Sequence, residues 1–388
     1  MLRPTRIRTH LFRYPIASPV VTSFGRMTDR PALFVEVEDA DGARGWGEIW
    51  CNFPACGAEH RARLLDTVVA PIVTGRAFAT PADAFTMMTA GTAVLAIQSG
   101  EPGPIAQTIA GVDTAFADLA ARRAGLPLWR WLRETGQAAV EPPSGEAAPS
   151  GPSPALVPYA SGINPDSAGE TAARCLAEGF RAFKLKTGFG RERDLANLAD
   201  IRAAIGAALP LMIDANQAWD IDTAMAIAPA LAPFGLGWLE EPLRADRPWD
   251  EWRRLAGICP VPLAAGENIA GDDAFARALA AGVLRVLQPD LAKWGGISGN
   301  VPVIRRALAA GLRYCPHFLG GGIGLMASAH LAAAFGGGLV EVDSNENPLR
   351  AVLATPLLEM TDGRVRLGAA PGIGIEPDWT ALGDWRVG

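Results

Sequence analysis

Phe183-Lys-Leu-Lys186, Leu211-Met-Ile-Asp214 and Gly237-Trp-Leu-Glu240 are three short apolar runs, each closing on a charged residue. Leu263-Ala-Ala-Gly-Glu267 and Val286-Leu-Gln-Pro-Asp290 repeat the form. Between them lie Ala-rich stretches with helical spacing, such as Leu195–Ala208 and Ala224–Ala232. Strand-length runs alternating with helices predict a parallel sheet, and this many units predict a closed α/β barrel. The phase of the charges sharpens that reading. Lys186, Asp214, Glu240, Glu267, Asp290, His317 and Glu341 follow one another at intervals of 28, 26, 27, 23, 27 and 24 residues. One strand, one helix and two loops take about 25 residues, so each charge holds the same place in successive units, at the barrel's C-terminal face.

Working outward, Ala32-Leu-Phe-Val-Glu-Val-Glu38 alternates, Asp39-Ala-Asp-Gly42 turns, and Gly45-Trp-Gly-Glu48 continues a hairpin. Residues 59–135 are rich in Ala and Leu at helical spacing, for example from Ile109 through Leu128 to Trp131. Residues 1–135 are therefore expected to form an N-terminal α+β capping domain. Residues 136–156, which include Glu141-Pro-Pro-Ser-Gly145, read as a Pro/Ser/Gly-rich linker. The barrel is expected over 157–355, with 356–388 returning to the capping domain.

Bulk properties set limits on function. The chain has 388 residues, 49% of them apolar and 20% charged, which suits a large barrel with an appended domain. A formal net charge of −6 gives no electrostatic reason to expect nucleic acid as a partner. The five cysteines, at 51, 56, 175, 259 and 315, are odd in number and scattered, which argues against a disulfide framework and for a reducing compartment. Met1-Leu-Arg-Pro-Thr-Arg6 lacks the apolar core of a signal peptide, and no run is long enough to span a membrane. The cytoplasm is the expected location.

Asp214, Glu240 and Glu267 would converge as three oxygen ligands with no Cys or His among them, a set suited to Mg²⁺, with Mn²⁺ as the alternative. The bland reading, three unrelated salt bridges, is disfavoured because clustered carboxylates repel one another. Lys184 and Lys186 stand two apart on a strand and so share a face. Paired ammonium groups should pull Lys186 towards neutrality and make it a usable base, while Lys184 is free to hold a substrate carboxylate. His317, in Tyr314-Cys-Pro-His317, falls one unit after Asp290, a carboxylate able to fix its tautomer and raise its basicity. His10, His60 and His330 lack such company and are given structural roles.

Lys184-Leu-Lys186, Asp214-Ala-Asn216, Trp238-Leu-Glu-Glu-Pro242, Gly266-Glu-Asn268, Pro289-Asp290 with Gly295-Gly296, and His317 together resemble the mandelate racemase branch of the enolase superfamily. The resemblance spans essentially the whole chain. It implies a modified TIM barrel under an N-terminal cap, Mg²⁺ on Asp214, Glu240 and Glu267, and Lys186 as base on one face of the substrate. His317, paired with Asp290, would serve the other face. Glu341, as a protonated acid, would hydrogen-bond the substrate carboxylate as its charge grows, with Asn216 and Lys184 in support. The muconate-cycloisomerase branch places a second lysine base on the strand that carries Asp290, and Lys293 is the residue here that would answer to it. The family's habit of symmetric assembly implies a homo-oligomer.

The expected chemistry is abstraction of the α-proton of a small-molecule carboxylate. Two bases on opposite faces then permit acid-sugar dehydration to a 2-keto-3-deoxy acid, or racemisation or epimerisation of a 2-hydroxy acid. A cycloisomerase and a catalytically silent barrel that binds metal and acid stand further off. Specificity is expected in the capping loops near Ser18–Arg26 and Trp50–Ala55. Val20 and Val21 there would suit an apolar substrate such as mandelate. Ser23, Arg26 and Asn52, with Ser161 and Asn164 on the first barrel strand, suit hydroxyl groups and favour the dehydratase.

Overall fold

A computed structural model describes residues 1–21, 25–138 and 153–387. An antiparallel sheet comes first: β1 (Pro4–Val21), β2 (Arg26–Asp39) and β3 (Arg44–Ile49) in that order. Eight parallel strands follow: β4 (Leu156–Ile163), β5 (Phe183–Lys186), β6 (Leu211–Asp214), β7 (Leu239–Glu240), β8 (Leu263–Ala265), β9 (Leu284–Leu287), β10 (Arg313–Tyr314) and β11 (Gly338–Asp343). They curl in the order β10-β9-β8-β7-β6-β5-β4-β11, with helices between them. This is the expected α/β barrel with an α+β cap. Where β10 and β11 meet, the described residues form no ladder, and the Cys315 thiol lies 3.6 Å from the Leu339 carbonyl oxygen.

The alternation in β2 carries more than a one-sided strand would need. Leu33, Val35 and Val37 pack on one face with Phe116 and Leu119 of the helix Pro102–Arg123. Phe34, on the opposite face, joins the core that the cap shares with the barrel. Glu36 on that face is buried but paired, at 2.8 Å from His10 Nε2 and 2.7 Å from Arg8. The cap sheet is therefore a filling between two apolar layers. Gly47 on β3 lets the strand run against the Gly111 carbonyl, where a Cβ would collide.

Element ends moved for local reasons. The helical run from Ile109 stops at Arg123, because Gly125 turns with φ +65° and Pro127 leads into a new helix, Leu128–Glu134. The stretch around Ala224–Ala232 is an α-helix only over Ile221–Ile227, then tightens to a 3₁₀ segment that contains Pro229 and Pro233. Near the C-terminus, the Val387 amide donates to the Leu11 carbonyl at 3.0 Å, and Trp379 stacks on His10 at 4.5 Å. The five cysteines are free. Among the described residues no helix is long and apolar enough to cross a membrane. Residues 139–152 of the expected linker lie outside the described residues, as do Ser23 and the side chains of Ser18 and Val21.

Candidate active site

Both lysines of β5 point into the barrel, as alternate residues on one strand must. Lys184 is fully buried, with Nζ 2.8 Å from each oxygen of Glu240 and 2.8 Å from Glu341 Oε1. Burial pulls its pKa down, but Glu240, Glu341 and Asp214 outweigh burial and hold it well above the usual lysine value. Lys186 reaches the cavity above, and its Nζ stands 2.5 Å from Asp214 Oδ2. Burial and Lys184 both work to lower Lys186, yet the Asp214 carboxylate prevails and raises it. The expected drift of Lys186 towards neutrality is thus absent. Lys184 still repels it, but Asp214, with Glu240 and Glu267 behind it, outweighs that repulsion.

The three carboxylates stand at adjacent strand ends, and Asp214 is directly opposite Glu240 across β6 and β7. As placed, each faces a cation instead of a common point: Asp214 meets Lys186, Glu240 meets Lys184, and Glu267 meets His317 Nε2. Among the described residues no three His, Cys, Asp or Glu side chains form a ready metal-ligand group. The crowding is nonetheless real. Burial, followed by the Asp214 carboxylate, pushes Glu240 up to about 7 against the pull of Lys184. Glu241 is driven well above the usual range by burial and by Glu267, and its Oε1 has no hydrogen-bond partner among the described residues. An all-oxygen set under this much like-charge strain fits a hard divalent cation.

On the far side of the cavity, His317 Nδ1 lies 2.7 Å from Asp290 Oδ2. Burial lowers the imidazole pKa, but Glu267, Glu341 and Asp290 together raise it well above the ordinary value. Lys293 also faces this cavity. Its Nζ is 3.0 Å from Asn268 Oδ1, 3.6 Å from Glu267, and 5.0 Å from the centre of the Trp50 ring.

Glu341 departs from the expected protonated acid. Burial raises it, but Lys184, His317 and Lys186 hold it down at about 2, so it is a carboxylate in this arrangement. It accepts from the Ser161 hydroxyl and, at 3.3 Å, from the Phe318 amide.

The residues expected to meet substrate hydroxyls divide. Ser161 and Asn216 line the cavity, Ser161 bonded to Glu341 and Asn216 to Asp214 through both its amide and its side chain. Asn164 donates to Asn345 at 3.1 Å and lines a neighbouring groove. Asn52 braces a loop, donating to the Leu319 carbonyl at 2.7 Å, and Arg26 is exposed at the start of β2. Val20, Trp50, Phe53 and Leu319 form an apolar roof.

Two further contacts escaped the sequence reading. Trp238 Nε1 and Gln288 Nε2 donate to Glu240 Oε2 at 3.0 and 2.6 Å. Gln288 directly follows Leu287, the end of β9, and a polar residue closing that apolar run was the available sign.

The enolase C-terminal domain-like family matches residues 167–381, and the mandelate racemase/muconate lactonizing enzyme N-terminal domain matches residues 6–132. D-galactarolactone cycloisomerase of Agrobacterium fabrum is 30% identical over 409 residues, covering 100% of this chain and 99% of that protein. D-galactonate dehydratase of Xanthomonas oryzae pv. oryzae is 28% identical over 381 residues, 91% and 92% of the two chains. Among solved structures, a mandelate racemase/muconate lactonizing enzyme from Bordetella bronchiseptica RB50 superposes with a TM-score of 0.89 at 57% identity over 98% of each chain. A racemase from Streptomyces coelicolor A3(2) with bound magnesium gives 0.85 at 28% identity over 100% of each. Two barrel lysines, three acids at successive strand ends and an Asp–His pair thus meet two family matches that together cover most of the chain, which belongs to the mandelate racemase/muconate lactonizing enzyme family of the enolase superfamily.

Proposed function

We propose that this chain is a Mg²⁺-dependent acid-sugar dehydratase in which Lys186 and His317 move the protons. One observation carries the reading: Lys186 and the Asp290-bonded His317 line one cavity from β5 and from the loop after β10, five places apart in the sheet order. Two proton-transfer groups reaching one substrate from different sides are what an α,β-elimination needs.

Asp214, Glu240 and Glu267 are the residues that would hold the cation. A bound divalent ion would relieve the crowded carboxylates, take Asp214 from Lys186 and polarise the substrate carboxylate. Lys186, no longer held as the ammonium by Asp214, would give up that proton to solvent and, as the free amine, remove the proton from the carbon beside the carboxylate, leaving an enediolate. His317 gives a proton to the β-hydroxyl, which departs as water. The resulting enol rearranges to a 2-keto-3-deoxy acid. Lys184, fixed beneath the site by Glu240 and Glu341, supplies positive charge where the enediolate gathers negative charge. Ser161, Asn216, Asp343 and Asn345 give the cavity wall polar atoms suited to a polyol chain.

A cycloisomerase is the second reading, favoured by the full-length likeness to D-galactarolactone cycloisomerase. It uses the same α-proton step. A panel of five- and six-carbon aldonic and aldaric acids and their lactones, incubated in D₂O with Mg²⁺ and followed by NMR, separates the outcomes. A 2-keto-3-deoxy product supports the dehydratase, and lactone isomerisation supports the second reading. Deuterium at the α-carbon without loss of water means racemisation. No exchange with any member of the panel overturns the proton-abstraction reading.

A further inference from the structure

Glu48 ends the Gly45-Trp-Gly-Glu48 run on β3, and its buried carboxylate leaves the cap to enter the N-terminus of the barrel helix Gly322–Ala334. The Gly324 amide donates to its Oε2 at 2.8 Å, and the Gly321 amide donates to Oε1. A Cβ on Gly320 would stand 2.7 Å from Oε1 and one on Gly321 2.9 Å from it, so the glycines let the helix end close around the carboxylate. An anion there answers both the unpaired amides and the helix dipole.

The segment so gripped begins at His317. Its polar backbone groups are tied one after another: the Phe318 amide to Glu341 at 3.3 Å, and the Leu319 carbonyl to Asn52 at 2.7 Å. The Gly320 carbonyl is tied to Asn347 at 3.0 Å, and the Gly321 amide to Glu48. Two of these four ties come from the cap. Burial pushes Glu48 up to about 7 against its two backbone donors, and the Asp290 carboxylate adds to the rise, so Glu48 lies within electrostatic reach of the partner of His317.

We propose that Glu48 is a positioning residue through which the cap sets the imidazole of His317 against Asp290. The inference rests on the reading of His317 as a proton-transfer group, but its test does not need a substrate. The bland alternative is that Glu48 only docks cap to barrel.

Full-length protein labelled with ¹⁵N-histidine has four imidazoles to follow, and His317→Asn assigns the one of interest. Glu48→Gln keeps the shape but places a second donor against the amides. It is expected to move the His317 nitrogen signals while those of His10, His60 and His330 hold. Amide exchange over residues 317–326 should speed up by about tenfold, as for the loss of a charge-assisted hydrogen bond. Glu48→Asp, which retains the charge, should restore much of both. Asp118→Asn is the control, since this buried cap carboxylate bonds the Trp46 amide on the same strand as Glu48, Arg122 and the Ile373 amide, but nothing in residues 317–326. Should Glu48→Gln not fold, Asn52→Ala loosens the same segment at Leu319 and should move His317 likewise. An unmoved His317 signal in the folded variants overturns the proposal. So does an equal shift in Asp118→Asn. If no acid sugar exchanges its proton, the functional reading fails alone, because these signals can still be read.

Discussion

The 2.7 Å contact between His317 Nδ1 and Asp290 Oδ2 leaves Nε2 as the nitrogen turned towards the cavity, where it meets Glu267. A carboxylate on one ring nitrogen fixes which nitrogen can exchange protons with a substrate. His317→Asn should therefore abolish net turnover, a fall of about 10²-fold or more. Asp290→Asn, which keeps the shape but loses the acceptor, should fall less steeply. Steady-state kinetics on the acid sugar found in the D₂O panel measure both. Full activity in both variants would remove His317 from the chemistry.

Lys186 gives the complementary expectation. Lys186→Ala should also stop net turnover, again by about 10²-fold or more. His317→Asn keeps the base, so exchange at the α-carbon should persist there, whereas Lys186→Ala keeps only the group that protonates the leaving hydroxyl and should lose it. NMR of the substrate α-proton in D₂O, read for each stereochemical series, distinguishes the faces. Exchange that persists in Lys186→Ala would make His317 a second base, which racemisation needs and the dehydratase reading does not.

How legible this site is depends on what each residue answers to. β5 and β6 are readable to the residue, because an apolar run closed by an inward charge marks both the strand and its end. β9 and β10 stop three residues short of Asp290 and His317. Pro289 and Pro316 deny the ladder a donor there, so those two residues sit on loops. Their spacing placed them at the mouth one unit apart, which is what suggested that Asp290 could bond His317. Less legible still are side chains whose partners arrive from distant units. Ser161 and Asn52 look ready for substrate hydroxyls, yet one is bonded to Glu341 and the other to Leu319. The shift of Lys186 reversed sign for the same reason, since Asp214, the acid that raises it, arrives from the next strand 28 residues on.

Metal binding should compete with protons. Burial and Asp214 raise Glu240 to about 7, so the ligand set must lose a proton to take up Mg²⁺. Isothermal titration calorimetry should show apparent Mg²⁺ affinity falling as pH drops from about 8 to about 6, with proton release in buffers of different ionisation enthalpy. Glu267→Gln should weaken binding by about tenfold or more, a loss of about 1.4 kcal/mol. EDTA should stop turnover, and added Mg²⁺ should restore it. Affinity that does not vary over this pH range would mean that Glu240 is already ionised before the cation binds.

His330 supplies a pH effect remote from the site. It is buried in the helix Gly322–Ala334, and its Nδ1 accepts the Trp129 amide at 3.2 Å. Burial lowers its pKa from 6.5 to about 3, so the folded protein keeps it neutral while the unfolded chain takes a proton near pH 6.5. The stability this contributes is complete above pH 6.5 and is lost as pH falls towards 3, by about 1.4 kcal/mol per unit within that window. Other groups titrate there too, so the test is a difference. His330→Gln can accept the same amide without gaining a charge. Urea unfolding at pH 7, 6, 5 and 4.5 should show the wild type losing stability faster than His330→Gln, and the gap should widen with each step down. Parallel curves would mean that His330 is protonated in the folded chain as readily as in the unfolded one.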